Sequence, residues 1–171
     1  STKISLLKKK NFIFNEKSLN NLYQKLNKNK KLKFVNKFVR SDVYIICVPT
    51  PVKKNNKFDN RYIKECFNLI VKNLKNDDLI IIESTCEPLT TENLYSQIKK
   101  ERKDLFENNM SVNIAYCPET IIPGNTLHEM KKNIKLIGGI NEKSANEARK
   151  IYLKFNKNII LTSTILAEMA K

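Results

Sequence analysis

Three apolar runs, each cut off by a proline or a polar loop, constrain this chain most. Val43-Tyr44-Ile45-Ile46-Cys47-Val48 stops at Pro49, Leu79-Ile80-Ile81-Ile82 stops at Glu83, and Val112 to Cys117, interrupted only by Asn113, stops at Pro118. Short runs without polar alternation read as strands buried on both faces. Leu136-Ile137 before Gly138-Gly139 is a weaker fourth, Ile159-Ile160-Leu161 a fifth, and Lys33-Phe34-Val35 adds a short strand near the start. Helical spacing fills the gaps. Leu19, Leu22, Tyr23 and Leu26 share one face over Ser18 to Leu26, and Ile63, Cys66, Phe67, Ile70, Val71 and Leu74 share another behind an N-cap at Asp59. Thr90 or Thr91 caps a helix bearing Leu94 and Ile98. Ser144 precedes one bearing Ala145, Ala148, Ile151, Tyr152 and Phe155, and Ser163 or Thr164 opens a last one toward Lys171. Strands alternating with helices imply an α/β fold with helices on both faces of a mostly parallel sheet. Right-handed crossovers then gather the strand-to-helix loops at one edge, where ligands bind.

At 171 residues and 41% hydrophobic content the chain is long enough for one domain with a core. No apolar run reaches 18 residues, so no membrane span is expected, and Ser1 to Lys10 lacks the pattern of a signal peptide. A formal charge of +15 raises a basic nucleic-acid-binding domain as a rival reading. Against it, lysine is spread along the whole chain and interleaved with asparagine, and the base-reading arginines are only Arg40, Arg61, Arg102 and Arg149. Cys47, Cys66, Cys86 and Cys117 form no CxxC pair and His128 is the sole histidine, so no metal site is expected. Reduced core thiols fit a cytoplasmic protein.

Three loops fall at the expected ligand edge: Val48-Pro49-Thr50-Pro51, Glu83-Ser84-Thr85 and Cys117-Pro118-Glu119-Thr120. Thr50 offers a hydroxyl at a proline-stiffened exit. Glu119 can position a water, act as a general base or hold a substrate group, and taken alone is also open to being a plain surface carboxylate. The Glu83-Ser84-Thr85 loop is equally open to local turn and cap bonding. Lys171 on spacing alone is a solvated helix lysine. With glycine only at Gly124, Gly138 and Gly139, no GxGxxG pyrophosphate loop exists in the chain.

Four segments in register resemble the nucleotide-sugar 6-dehydrogenases of the UDP-glucose/GDP-mannose dehydrogenase family. They are Val48-Pro49-Thr50-Pro51, then Glu83-Ser84-Thr85 with Thr90-Thr91-Glu92, then Ala115 to Gly124 with Leu136-Ile137-Gly138-Gly139, and finally Ala167-Glu168-Met169-Ala170-Lys171. The Cys-Pro-Glu-x-x-x-Pro-Gly form is most similar to the UDP-N-acetylmannosamine dehydrogenase branch. The resemblance implies a partial Rossmann-type, doubly wound domain over residues 1–162 that lacks the first βαβ unit, with a connecting helix opening at residues 163–171. It implies NAD as cofactor, contacted by Pro49, Thr50 and Thr85. Glu119, Lys171 and Thr85 then take catalytic roles, Glu119 and Thr85 at a water and Lys171 at oxyanion character on C6. Thr120, Ile121 and Lys171 bind the UDP-sugar. The resemblance further implies polysaccharide precursor synthesis, a homo-oligomeric intact enzyme, and no nucleic-acid or membrane partner. The family's GxGxxG unit is expected before this chain and its cysteine nucleophile after it, so the chain reads as an internal piece, inactive alone; a non-catalytic remnant is the second rival. Departures from the family pattern are Leu89 for the glycine before Thr-Thr, Glu87 for a small neutral residue, Thr120 for the arginine after Cys-Pro-Glu, and Lys135 for an arginine before Ile-Gly-Gly.

Overall fold

The three long apolar runs form adjacent strands. In the computed structural model, which describes residues 2–9, 14–52 and 58–171, β1 (Val43–Ile46), β2 (Leu79–Ile82) and β3 (Asn113–Tyr116) lie parallel. They are in strict register, with Ile46 opposite Ile82 and Ile82 opposite Tyr116. β4 (Lys135–Gly139) runs antiparallel to β3, and β5 (Ile159–Ser163) runs parallel to β4. The spatial order follows the sequence order. β2 and β3 are buried along their whole length, which is why their sequences show no polar alternation.

Among the described residues seven α-helices accompany the strands: α1 (Thr2–Lys8), α2 (Lys17–Lys28), α3 (Arg61–Val71), α4 (Thr90–Glu101), α5 (Thr126–Lys132), α6 (Glu142–Tyr152) and α7 (Thr164–Met169). Successive strand side chains point to opposite faces. Leu79, Ile81, Ala115, Cys117 and Ile137 pack with Ala145, Ala148 and Tyr152 of α6. The alternate set, Ile80, Ile82, Ile114 and Tyr116, is fully buried on the other face, where α3 meets β1 and α4 and α7 meet β3. Each such side chain contributes roughly 1.5–3 kcal/mol by leaving water. Gly138 and Gly139 let two helices close on β4. A Cβ on Gly138 would lie 2.6 Å from the Ser163 carbonyl oxygen and 2.9 Å from the Ala167 Cβ, and one on Gly139 would collide with the Ala145 backbone. At the amino ends of the strands, Arg40 pairs with the buried Asp78 at 2.8 Å.

The chain divides into two compact units, one of residues 1–39 with 121–133, the other of residues 40–120 with 134–171. In the first, the Tyr23 hydroxyl of α2 donates to the Leu7 carbonyl at 2.7 Å. The Glu16 carboxylate caps α5, accepting from the Thr126 amide at 3.0 Å and its hydroxyl at 2.7 Å. The sheet and the other helices make up the second unit.

Four expectations of local structure are corrected. Lys33-Phe34-Val35 is a loop: Phe34 packs on Tyr23, ring centroids 5.9 Å apart, and among the described residues no strand pairs with it. Asp59 is not the cap of α3, which starts after Asn60; its buried carboxylate reaches forward to the Arg61 amide at 3.2 Å and the Arg61 guanidinium at 2.6 Å. Ser144 lies inside α6, capped by the Asn141 side chain, and its hydroxyl accepts from the Ile114 amide at 3.3 Å. Neither Thr90 nor Thr91 caps α4; that position is Leu89, in the left-handed region at φ 68°. Ser163 does cap α7. The polar stretch Lys53 to Asn60 is expected from the sequence to be a loop; its positions 53–57 fall outside the described residues, and Val52 bridges Phe58.

Candidate active-site edge

Because β1, β2 and β3 end in register, their exits emerge at one edge of the sheet. Thr50 stands four residues past Ile46, Thr85 three past Ile82, and Glu119 three past Tyr116. All three are half-buried, whereas Pro49 and Thr120 are exposed. Ile121, half-buried, belongs to the other unit. Ser84 fastens the first two exits: its hydroxyl accepts from the Val48 amide at 2.7 Å and donates to the Val48 carbonyl at 2.9 Å. The local turn and cap bonding expected of this loop does not hold for Ser84, whose hydroxyl bonds reach across to the neighbouring strand exit 36 residues away.

Glu83 forms a second fastening. Its Oε1 accepts from Lys135 Nζ at 3.0 Å and from the Tyr152 hydroxyl at 2.5 Å, and its Oε2 accepts from the Cys47 thiol at 3.3 Å. Burial pushes the Glu83 carboxyl up, but the Lys135 charge and the bonds from Tyr152, Lys135 and Cys47 outweigh it and hold it below the ordinary value of 4.5. Lys135 Nζ also donates to the Cys117 and Pro118 carbonyls at 3.0 and 3.1 Å, and lies 4.7 Å from the centre of the Tyr152 ring.

The helix that leads to Lys171 is tied to the same edge. α7 crosses β4 with Ala167 over Gly138 and presents Glu168, 3% exposed, to the start of α4. The Glu168 carboxylate accepts from the Leu89 amide at 2.6 Å, the Thr91 amide at 2.8 Å and the Thr91 hydroxyl at 2.6 Å. At the other end of α7 the Thr164 hydroxyl donates to Glu92. A carboxylate 77 residues away thus replaces the threonine cap. Two of the sequence segments, Thr90-Thr91-Glu92 and Ala167 to Lys171, hold each other. Lys171 itself is exposed, three residues beyond Glu168.

None of the four thiols is poised as a nucleophile. Burial raises Cys47, Cys86 and Cys117 to about 12 and pushes Cys66 above its ordinary value, with Glu83 adding to the effect at Cys47 and Glu168 at Cys86. Thr50 and Thr85 lie on the exits of adjacent parallel strands. The glycines do not form a pyrophosphate cradle: Gly138 and Gly139 are closed off by α7 and α6, and Gly124 sits in a turn at φ 110°.

Sequence reasoning named the loops but missed Glu83, Ser84, Lys135, Tyr152 and Glu168 as the groups that set their shape. Glu168 carried the clearest signal, a carboxylate on the apolar side of a helix beside Ala167.

A family model described as "UDP-glucose/GDP-mannose dehydrogenase family, NAD binding domain" matches residues 1–156. A UDP-N-acetyl-D-mannosamine dehydrogenase of Methanococcus aeolicus is 45% identical over 135 residues, 77% of this chain and 30% of its own length. One from Methanocaldococcus jannaschii is 37% identical over 99% of this chain and 39% of its own length. The solved UDP-D-ManNAc dehydrogenase of Pyrococcus horikoshii superposes with TM-score 0.91 at 30% identity, over 100% of this chain and 41% of that one. The chain thus spans between 30% and 41% of the length of these relatives.

Proposed function

Since the chain belongs to the UDP-glucose/GDP-mannose dehydrogenase family and carries its NAD-binding domain, we propose that it is part of an NAD-dependent 6-dehydrogenase that converts the C6 alcohol of UDP-N-acetylmannosamine to the uronic acid. The observation that carries this reading is the 45% identity to a UDP-N-acetyl-D-mannosamine dehydrogenase, together with Thr50, Thr85 and Glu119 on three strand exits in register. NAD, when bound, supplies the hydride acceptor for each of two successive oxidations. Thr50 and Thr85 orient its nicotinamide end, with Pro49 stiffening the first exit. Glu119, with Thr85, holds the water that becomes an oxygen of the acid. Lys171 steadies negative charge on the C6 oxygen, where an ammonium stabilises a developing alkoxide. Thr120 and Ile121, next in the chain after Glu119, contact the nucleotide-sugar.

None of Cys47, Cys66, Cys86 and Cys117 stands where the family pattern has its nucleophile, so the covalent step is assigned to a further cysteine of the full-length polypeptide. The chain alone is then inactive, and the full-length polypeptide is a cytoplasmic homo-oligomer serving surface polysaccharide synthesis. The test is NADH formation by the full-length polypeptide on UDP-N-acetylmannosamine and on UDP-glucose. Faster turnover of the first supports the substrate, faster turnover of the second moves it, and no turnover on any nucleotide-sugar refutes the activity. A non-catalytic remnant is the second reading, favoured by Leu89 held at φ 68° where the family pattern has glycine.

A further inference from the structure

We propose that Lys135 is a positioning residue that sets the exit of β3, and with it the place of Glu119, by gripping two successive backbone carbonyls. The inference rests on the role given above to Glu119. β3 and β4 are antiparallel with Ala115 opposite Gly139 and Tyr116 opposite Gly138. Each step on along β3 is a step back along β4, so Lys135, the first residue of β4, falls level with Glu119. The β3–β4 pairing ends at Tyr116, so the carbonyls of Cys117 and Pro118 lie beyond it, and Pro118 has no N–H with which to extend the ladder. Both residues are buried, so these oxygens need a donor. Lys135 supplies it. Its ammonium has three N–H groups and three acceptors: Cys117 O at 3.0 Å, Pro118 O at 3.1 Å and Glu83 Oε1 at 3.0 Å.

The side chain is held for this task. It is only 11% exposed, against 17% for Glu83. The Tyr152 ring supports the ammonium from 4.7 Å, and the Tyr152 hydroxyl and Cys47 thiol fix the carboxylate that Lys135 meets. One cation therefore links the exits of β1, β2 and β3. A solvated surface lysine would make none of these bonds at a fixed geometry.

The test compares K135M, K135R and wild type by 15N relaxation of this chain. In K135M the backbone order parameters of Glu119 and Thr120 should fall from about 0.85 to below about 0.6, while those of Ile81 and Ile114 stay rigid. K135R, which keeps charge and donors, should retain the order at Glu119. In the full-length polypeptide K135M should lower kcat about tenfold with KM for NAD unchanged, a split that a general loss of stability does not give. If K135M does not fold, K135Q, with one amide donor group, should loosen the same two residues less. Unchanged order at Glu119 in K135M, or in K135Q where K135M does not fold, overturns the inference. A loosened exit with unchanged kcat upholds the grip of Lys135 and contradicts the role of Glu119 instead.

Discussion

Leu89 shows how a single residue can carry the cost of a family departure. A leucine at φ 68° is strained because its Cβ crowds the following carbonyl. Two bonds keep it there: Glu168 takes its amide at 2.6 Å and the next turn of α4 closes on its carbonyl. Leu89→Gly should remove about 1 kcal/mol of strain, net of the added unfolded-state entropy, and raise the melting temperature by about 2–4 °C. An unchanged or lower melting temperature would show that Leu89 is accommodated without strain. Cys47 makes the opposite case, exposed yet inert. Partial burial of its thiol, followed by the charge of Glu83 and the hydrogen bond donated to it, pushes it from the ordinary 9.0 to about 12. Alkylation at pH 8 should therefore run more than about tenfold slower than for a free cysteine, as followed by mass spectrometry of the Cys47 peptide.

Among the elements, α7 and β4 depend on close approach. Gly138→Ala would drive a methyl group into the Ser163 carbonyl and Thr164. Separating α7 from β4 should cost about 1–3 kcal/mol, read as a lower urea midpoint. The strand exits depend on charge. Glu83 titrates below 4.5 in the folded chain, so its contribution is complete above that value and is lost as the pH falls through the lower folded value. The urea midpoint should drop as pH falls below about 4.5, and K135M should flatten that drop because Lys135 is the main force holding the carboxyl down. An equally steep drop in K135M would assign the acid sensitivity elsewhere.

For the whole molecule, the apolar runs were legible because burial on both faces leaves a simple mark: Leu79 to Ile82 has no polar residue at all. The helices were legible through their spacing, and Ser163 through its cap. Two failures, Asp59 and Ser144, are helix starts displaced by one and three residues; the others come from bonding between residues farther apart in sequence. Thr91 looks like a cap from its neighbours, yet the group it meets is Glu168, 77 residues on. Phe34 looks like strand, yet its partner is Tyr23. Lys135 reads only as a departure from the family's arginine, and its three acceptors come from the exits of two other strands. Glu119 and the threonines were found by motif; the groups that hold their loops were not. The most direct test of the proposed chemistry is the NADH yield per UDP-N-acetylmannosamine oxidised by the full-length polypeptide, wild type against Glu119→Gln. Two NADH per sugar in the wild type, with turnover reduced about a hundredfold or more in the variant, is the expected result. One NADH per sugar, or a variant as fast as wild type, would contradict it.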